Sequence, residues 1–424
     1  MSGYLRRVVD AELDDLLTDL PAITLDGPKG VGKTETAVRR AKTVFALDEA
    51  GQRELLAADP ARLERATSPV LVDEWQLHPP VWDVIRRAVD RGAEPGRYLL
   101  TGSASPADTP THSGAGRIVR LRMRPMSLAE RGIAVPRVSL RALLSGAREP
   151  VEGTSDLDLE AYAEEIVRSG FPGIRRLSGR ARRAQLAGYL ERIVERDFPE
   201  HGHLVRRPAT LRAWLAAYAA ATATTTSYNA ILDAATAGDS DKPAKTTTIA
   251  YRDVLSQLWL LEPVEAWLPT RNRLNRLASA PKHQLADPAL AAALLGADAP
   301  ALLDGAIKGP PQIRDGVLLG QLFEALVTLD LRVYAQAAEA SVRHLRTRNG
   351  DHEVDLIVER ADQRVLAFEV KLASSVGDAD VKHLLWLKNQ IGDDLLDAVV
   401  VYTGPEAYRR ADGIAVVPAA LLGP

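Results

Sequence analysis

The chain has 424 residues and contains no cysteine. This absence excludes disulfide bonds, thiolate metal sites and cysteine nucleophiles, and it fits a reducing cytoplasm, where we expect the protein to be located. Aromatic residues make up only 5% of the sequence, and the formal net charge is −3, so no overall basic field points to a nucleic-acid partner. A surface for DNA must therefore be local.

Long hydrophobic runs are also missing. No stretch approaches the ~18 consecutive apolar residues that cross a bilayer, and residues 1–7 are not followed by the apolar core of a signal peptide. We therefore expect no membrane partner. The 46% hydrophobic and 26% charged residues are typical of a globular protein, and the length predicts two or three domains.

A glycine-rich turn follows the apolar run Ala22–Leu25, and residues 27–34 read GPKGVGKT. The spacing fits G-x-x-x-x-G-K-[ST], the P-loop, between a predicted strand and a predicted helix. The glycines let successive backbone N–H groups point at phosphate oxygens, and the helix adds its positive end. Lys33 is expected to reach the β- and γ-phosphates, and the Thr34 hydroxyl to hold Mg²⁺. The predicted nucleotide contacts are Gly27, Pro28, Lys29, Gly30, Val31, Gly32, Lys33, Thr34 and Glu35.

An apolar strand ending in two acids, Asp73 and Glu74, follows the P-loop. Alone, such a pair is as often a surface turn. Downstream of a P-loop it indicates a Walker B element, in which Asp73 holds the Mg²⁺ shell and Glu74 activates the attacking water.

Two further stretches carry candidate catalytic residues. The strand 97–103 ends in Thr101 and Ser103, which stand where a sensor of the γ-phosphate is expected, although such residues also form ordinary turns. Arg117 follows a glycine-containing stretch and fits an arginine finger that reaches a neighbouring subunit. The alternative for Arg117 is a solvated arginine at the rim.

The order of these motifs, with LLTGS at 99–103, GRIVRL at 116–121 and Pro125, Met126, Ser127 and Glu130 beyond them, resembles a prokaryotic family of AAA+-type ATPases. In that family a P-loop domain is fused to a long C-terminal region. The resemblance covers essentially the whole chain and implies ATP as the nucleotide and Mg²⁺ as the cofactor. Relatives of this type often share sites between subunits, so a homo-oligomer is compatible with the resemblance, and the oligomeric state stays open.

The middle of the chain is predicted to be helical. Short helices followed by a strand near 261–267 suggest a winged helix-turn-helix, which binds DNA or serves as a protein-interaction module. Arginines cluster after Gly170-Phe171-Pro172-Gly173 and could contact DNA phosphate or nucleotide phosphate, or simply be solvated. These arginines are Arg175, Arg176, Arg180, Arg182 and Arg183.

The last region contains acids and a lysine on neighbouring predicted strands. Glu369 and Lys371 are two residues apart and so share a strand face, and Asp355 can converge with them. Two carboxylates suit a divalent metal, and a lysine beside them can orient water. With Glu324 on a preceding helix, the arrangement resembles the PD-(D/E)XK nuclease superfamily. The alternative is a degenerate nuclease fold that only binds.

We therefore expect a multidomain α/β protein. The predicted regions are a P-loop AAA+-type ATPase domain (1–131), a linker or lid (132–158), a helical winged-helix-like domain (159–280) and a nuclease-like α/β domain (281–424). The first functional hypothesis is Mg²⁺-dependent ATP hydrolysis coupled to DNA binding or processing. The second is an ATP-gated switch that binds a protein partner, in a toxin–antitoxin or defence setting, with an inactive nuclease-like domain.

Overall fold

The computed structural model describes residues 3–102, 115–200, 205, 207–237, 243, 245–269, 279–307, 316–347 and 350–424. Ser103, one of the two predicted sensor residues, lies outside them. Among these residues, no helix has both the length and the apolar character needed to cross a membrane.

The N-terminal region is built on a five-stranded parallel sheet with the order β2-β3-β4-β1-β5. Its strands are β1 (Ala22–Asp26), β2 (Thr43–Ala46), β3 (Val70–Asp73), β4 (Tyr98–Gly102) and β5 (Val119–Arg122). Every residue of β1, β3 and β4 is buried. This is expected of a parallel sheet covered on both faces, and it explains why its strands are near-continuous apolar runs in the sequence.

The α-helices that the structure describes beside this sheet are α1 (Val8–Leu16), α2 (Lys33–Val38), α3 (Ala50–Ala58), α4 (Arg62–Arg65), α5 (Pro80–Asp90) and α6 (Leu128–Arg131). Helix α5 buries one face, formed by Val81, Trp82, Ile85 and Ala88, as its spacing predicts. Because the strands are parallel, the segments that follow β1, β3 and β4 meet at one edge of the sheet. That edge carries the P-loop.

The middle region is helical. Its elements are α8 (Leu159–Arg168), α9 (Pro172–Arg175), α10 (Gly179–Arg192), a π-helical turn (Ile193–Asp197), α11 (Phe198–Glu200), α12 (Pro208–Ala220), α13 (Tyr228–Ala235), α14 (Lys245–Gln257), α15 (Pro288–Leu294) and α16 (Ala299–Ile307). After α14, single β-bridges join Leu261 to Leu285 and Val264 to Lys282. The winged-helix interpretation of this region stays a prediction.

The C-terminal region contains a seven-stranded mixed sheet, in which β7 (Gly153–Thr154) is the first strand of the order β7-β12-β13-β11-β10-β9-β8. Its own elements are α17 (Gly316–Ala337), β8 (Ser341–Arg346), β9 (Glu353–Glu359), β10 (Val365–Lys371), α18 (Asp378–Ile391), β11 (Leu395–Tyr402), β12 (Glu406–Arg409), β13 (Ala415–Pro418) and β14 (Leu422–Gly423). Strands β8, β9 and β10 pair antiparallel in succession, and α18 carries the chain across to β11, which is parallel to β10. The predicted acids on β9 and β10 are thus on neighbouring strands.

Residues 132–158, predicted as a linker or lid, pack against this C-terminal sheet. They form β6 (Val138–Ser139), α7 (Leu140–Ser145) and β7 (Gly153–Thr154). Strand β7 pairs with β12, and β6 pairs with β14 at the end of the chain. The three leucines of α7 at 140, 143 and 144 are buried, which ties the segment into the core.

One apolar cluster joins the three regions. It contains Leu13 of α1, Tyr162 of α8 and Phe323 of α17, and the last two rings meet edge to face with centroids 5.4 Å apart. The backbone N–H of Leu128 also donates to Oδ1 of Asp330 at 2.8 Å. An apolar interface of this extent fixes the regions against one another.

Candidate functional site

The P-loop is shaped by two glycines with positive φ angles. Gly30 has φ 84° and Gly32 has φ 102°, conformations that other residues rarely adopt, and α2 begins directly after Gly32. The Lys33 ammonium donates to the backbone oxygens of Gly27 at 2.7 Å and Pro28 at 3.0 Å. Burial lowers the pKa of Lys33 to about 8, although the nearby carboxylates of Glu74, Asp26 and Asp73 oppose that shift. The lysine is therefore held, desolvated, inside the loop that is predicted to receive phosphate.

The predicted magnesium ligands lie in direct contact. The Thr34 hydroxyl donates to Oδ1 of Asp73 at 2.8 Å, across the edge of the sheet from the end of β1 to the end of β3. Cis ligands of an octahedral Mg²⁺ at ~2.0–2.1 Å stand about 2.9 Å apart, so these two hard oxygen donors fit that ion. Thr101, fully buried at the end of β4, also donates its hydroxyl to Oδ1 of Asp73. The structure thus places Thr101 in contact with Asp73, the predicted Mg²⁺ ligand.

Glu74 has a left-handed backbone conformation, with φ 52° and ψ 46°. Such a conformation costs of order 1–3 kcal/mol for a residue other than glycine, and it clusters at functional sites. The side-chain amide of Gln76 donates to Oε2 of Glu74. Gly102 makes room for this turn, because a Cβ there would lie 2.9 Å from the indole nitrogen of Trp75. Sequence reasoning did not single out Gln76.

A cavity of about 900 Å³ opens over the P-loop. It is lined by Lys33 and Glu74, by Tyr4 from the N-terminal segment, by Met123 after β5, and by Arg176 from the helical region. Its size suits a nucleotide, because small-molecule pockets measure roughly 300–1,000 Å³. Arg39 of the same cavity lies 4.0 Å from the centroid of the Tyr4 ring. Residues of the N-terminal region and of the helical region thus line the same cavity.

The arginine cluster of the helical region divides into different roles. Arg176 lines the cavity and is exposed. Arg175 is buried and donates to both oxygens of Glu165, at 2.6 and 3.0 Å. Arg182 pairs with Glu164 at 2.8 Å. The remaining two, Arg180 and Arg183, are exposed on α10.

Arg117 is not brought to the cavity of its own chain. Its Nε donates to Oδ1 of Asp90 at the end of α5, at 2.8 Å, and it is absent from the residues that line the cavity. A role in a neighbouring subunit stays a prediction.

The roles of Arg7, Asp26 and Lys29 around the P-loop were not predicted from the sequence. Buried Arg7 donates to the backbone oxygen of Val31 at 2.8 Å and pairs with Glu130 at 3.1 Å, so it braces the loop from the N-terminal segment. Asp26 ends β1, and burial raises its pKa. Lys29 pairs with Asp197 of the π-helical turn at 2.6 Å. Each is a long-range contact or a lone charged residue, and no local motif announces it.

The structure also brings together the four predicted residues of the C-terminal region. Lys371 donates to Oε2 of Glu369 at 3.0 Å, and the Val370 N–H donates to Oδ2 of Asp355 at 2.9 Å. Burial and the neighbouring Asp355 carboxylate raise the pKa of Glu369 to about 9. Burial also raises the pKa of Glu324 to about 8.

A lysine that the sequence did not reveal sits among these acids. The ammonium of Lys282 lies 2.9 Å from Glu324, 3.2 Å from Glu353 and 3.4 Å from Asp355, and its side chain is 2% exposed. Burial acts to lower the pKa of Lys282, but the three carboxylates outweigh it and raise that pKa. Among the described residues, no group of three or more histidine, aspartate or glutamate side chains is arranged to hold a metal ion.

Three family models match successive parts of the chain. Residues 19–131 match an AAA domain, residues 159–301 match a domain of unknown function (DUF8612), and residues 319–422 match another domain of unknown function (DUF4143). Similar proteins include uncharacterized proteins of Mycobacterium bovis and Mycobacterium tuberculosis. Each is 26% identical over 423 residues, which is 98% of this chain and 83% of the relative.

Solved structures give weaker likenesses. The Walker-type ATPase PABY2304 of Pyrococcus abyssi is 17% identical, with a TM-score of 0.37 over 67% of this chain and 94% of that chain. The ORC2 protein of Aeropyrum pernix, in ADPNP and ADP complexes, is 14% identical, with a TM-score of 0.29 over 75% of this chain and 96% of that chain. TM-scores of this size carry no conclusion about this protein.

The AAA-domain match covers the parallel sheet, the P-loop and both acids at the end of β3. It confirms the predicted P-loop ATPase domain in the first part of the sequence. Residues 19–131 form a P-loop ATPase-like domain within a mixed α/β multidomain chain.

Proposed function

We propose that this protein binds ATP with Mg²⁺ and hydrolyses it, and that the nucleotide state is passed to its helical and C-terminal regions. The observation that carries the proposal is the 2.8 Å contact between Thr34 and Asp73, which lies beside Lys33 and Glu74 at one cavity. A hydroxyl, a carboxylate, an ammonium and a second carboxylate are the groups that metal-assisted phosphoryl transfer uses.

Lys33, Thr34, Asp73 and Glu74 would each have a separate role in hydrolysis. Lys33 would exchange the carbonyl oxygens of Gly27 and Pro28 for β- and γ-phosphate oxygens, so that its buried charge is compensated. Thr34 and Asp73 would hold Mg²⁺, which neutralises phosphate charge when it is bound. Glu74, oriented by Gln76, would accept the proton of the attacking water, because it is a separate carboxylate that need not bind the metal.

The test of hydrolysis is Glu74→Gln, which keeps size and hydrogen bonding but removes the base. We expect ATP binding within about threefold of the native chain and turnover reduced by at least about 100-fold. Binding measured with a fluorescent ATP analogue and turnover measured as phosphate release separate the two effects. Turnover equal to that of the native chain contradicts the assignment of Glu74.

The work that ATP supports is proposed to involve DNA, through the winged-helix-like and nuclease-like regions. The test compares the ATPase rate with and without duplex and single-stranded DNA at two salt concentrations, in Mg²⁺ and in Mn²⁺. Stimulation that fades at the higher salt concentration supports contact with the phosphate backbone. Cleavage products that disappear in Glu369→Ala would add nuclease activity.

A second candidate is the ATP-gated switch that binds a protein partner and has an inactive nuclease-like domain. Two observations favour it. Lys282 occupies the centre of the C-terminal carboxylates, and both Arg175 and Arg182 are engaged in ion pairs within the chain. ATP hydrolysis that is indifferent to DNA, with no cleavage in either metal, supports this candidate. A homo-oligomer in which Arg117 acts in the next subunit is compatible with both.

A further inference from the structure

The carboxylates of the C-terminal region converge on an ammonium group. Nζ of Lys282 lies between 2.9 and 3.4 Å from oxygens of Glu324, Glu353 and Asp355. The first of these acids comes from α17 and the other two from β9. An ammonium that has three carboxylates within 3.4 Å compensates their charge, which is what a divalent cation would otherwise do.

Lys282 is supplied from outside the domain that supplies the acids. Lys282 lies in residues 159–301, which match DUF8612. The acids lie in residues 319–422, which match DUF4143. Its backbone is fixed, because its N–H donates to Val264 at 2.9 Å and its carbonyl accepts from Val264 at 2.8 Å. The next residue, His283, bonds through its backbone to Ala223 and Thr224. Lys282 therefore reaches the acids from a segment whose backbone is hydrogen-bonded both to Val264 and to residues 223–224.

A divalent cation and this ammonium cannot share the cluster. Mg²⁺ or Mn²⁺ needs oxygens at ~2.0–2.2 Å, and an ion at the point where these carboxylates converge would lie within about 3 Å of Nζ. The side chain of Lys282 is 2% exposed, so water screens this repulsion poorly. The lysine is also too buried to swing away into solvent without breaking three ion pairs.

A fourth carboxylate points into the same cluster. Glu369 is 3% exposed, its Oε2 atom accepts from Lys371, and the Asp355 carboxylate lies beside it. Two buried carboxyl groups side by side repel each other when both are ionised, and a divalent cation would relieve that repulsion. Four acids thus lie together here, and the cation among them belongs to the protein.

We propose that Lys282 is a built-in cation that closes a latent divalent-metal site in the C-terminal region. The native chain accordingly binds no Mg²⁺ or Mn²⁺ through Asp355, and the region is held to its neighbour by the ion pairs of Lys282. Removal of the ammonium opens the site to a divalent cation of the Mg²⁺ or Mn²⁺ class. The inference does not depend on ATP hydrolysis.

The probe is Mn²⁺, measured by electron paramagnetic resonance on the full chain without nucleotide. All variants carry Asp73→Asn, so that the P-loop site does not contribute. The first comparison adds Asp355→Asn, or the milder Glu353→Gln. We expect the same number of bound Mn²⁺ ions with and without these changes. One ion fewer in either variant overturns the proposal, because the native cluster would then be a working metal site.

The second comparison adds Lys282→Met. We expect one additional Mn²⁺ per chain, lost again with Asp355→Asn, and a lowered melting temperature that Mn²⁺ raises by several degrees. Lys388→Met, on α18, is the matched control and is expected to gain no ion. A folded Lys282→Met chain that gains no Mn²⁺ site overturns the proposal. If that variant does not fold, the first comparison still decides, because it leaves Lys282 in place.

Discussion

The ammonium of Lys29 lies 2.6 Å from Oδ1 of Asp197, so the apex of the P-loop is ion-paired with the π-helical turn of the neighbouring region. The two side chains differ in environment, because Lys29 is 41% exposed and Asp197 only 5%. The hydroxyl of Tyr189 also donates to the carbonyl oxygen of Lys29 at 3.3 Å. Because of these contacts, a change in the conformation of the P-loop alters its bonds to the helical region.

We predict that Lys29 and Asp197 are energetically coupled. A double-mutant cycle of Lys29→Met and Asp197→Asn is expected to give about 1 kcal/mol of coupling in the free energy of unfolding, because one partner is buried. Lys29 also stands 3.9 Å from Glu200, which is 46% exposed. The same cycle with Glu200→Gln is therefore the control, with coupling near zero. Equal coupling in the two cycles contradicts the prediction.

A second prediction concerns the charge of Lys33. Its pKa in the folded chain is lowered to about 8 by burial, against ~10.4 in an unfolded chain. At pH 7 both states are protonated, and the folded state bears the cost of the buried ammonium. Between pH 8 and pH 10.4 the folded state loses its proton first, so this cost shrinks as pH rises.

Lys33→Met is therefore expected to abolish ATP binding and yet to raise the stability of the nucleotide-free chain. At pH 7 the gain is about 1–3 kcal/mol, smaller than the pKa shift alone implies, because the carbonyl oxygens of Gly27 and Pro28 lose a donor. The free energy of unfolding is measured in urea at pH 7 and pH 9.5 for both chains. The difference between Lys33→Met and the native chain should be smaller at pH 9.5. Lys42→Met, at an exposed position, is the control. A less stable Lys33→Met chain at pH 7 contradicts the argument.

The third prediction separates the two possible roles of Thr101. If its hydroxyl orients Asp73, Thr101→Val should raise the Mg²⁺ concentration for half-maximal ATPase activity by about 3–10-fold, since one donor to the metal ligand is lost. The KM for ATP at saturating Mg²⁺ should stay within about twofold. Thr24→Val removes another buried strand hydroxyl, which contacts Asp26, and is the control. An unchanged Mg²⁺ dependence would instead favour contact with the γ-phosphate.

The parts of the candidate site that could be predicted from the sequence are those that belong to short local motifs. The P-loop follows β1, Asp73 ends β3 and Glu74 follows it. Parallel strands bring their carboxyl ends together, so local patterns sufficed to place these residues near one another. The placement of Asp355 and Glu369 on neighbouring strands was predicted in the same way, through strand periodicity. The fold of the first region follows from the same apolar runs.

The parts that the sequence did not predict depend on long-range packing. Lys282 meets Glu324 and Asp355 across 42 and 73 residues of sequence, and nothing near Lys282 marks it as a partner. Arg7 reaches Glu130 across 123 residues in a similar way. The packing of 132–158 onto the C-terminal sheet was also missed, because Pro, Gly and Ser in that segment suggested a linker.

The last prediction concerns Arg176, the arginine of the helical region that lines the cavity. A guanidinium at the mouth of a phosphate site can pair with phosphate oxygens, and it would tie the nucleotide to both regions of the chain. Arg176→Ala is expected to weaken ATP binding or turnover by about tenfold or more, and Arg176→Lys to recover only part, since a lysine cannot form the bidentate contact. Arg180→Ala, an exposed position on α10 away from the cavity, should leave both values within about twofold.

Binding of ATP and of ADP is compared in each variant to locate the contact of Arg176. A larger loss of affinity for ATP than for ADP points to the γ-phosphate. Equal behaviour of Arg176→Ala and Arg180→Ala would mean that the helical region bounds the cavity without contacting the nucleotide.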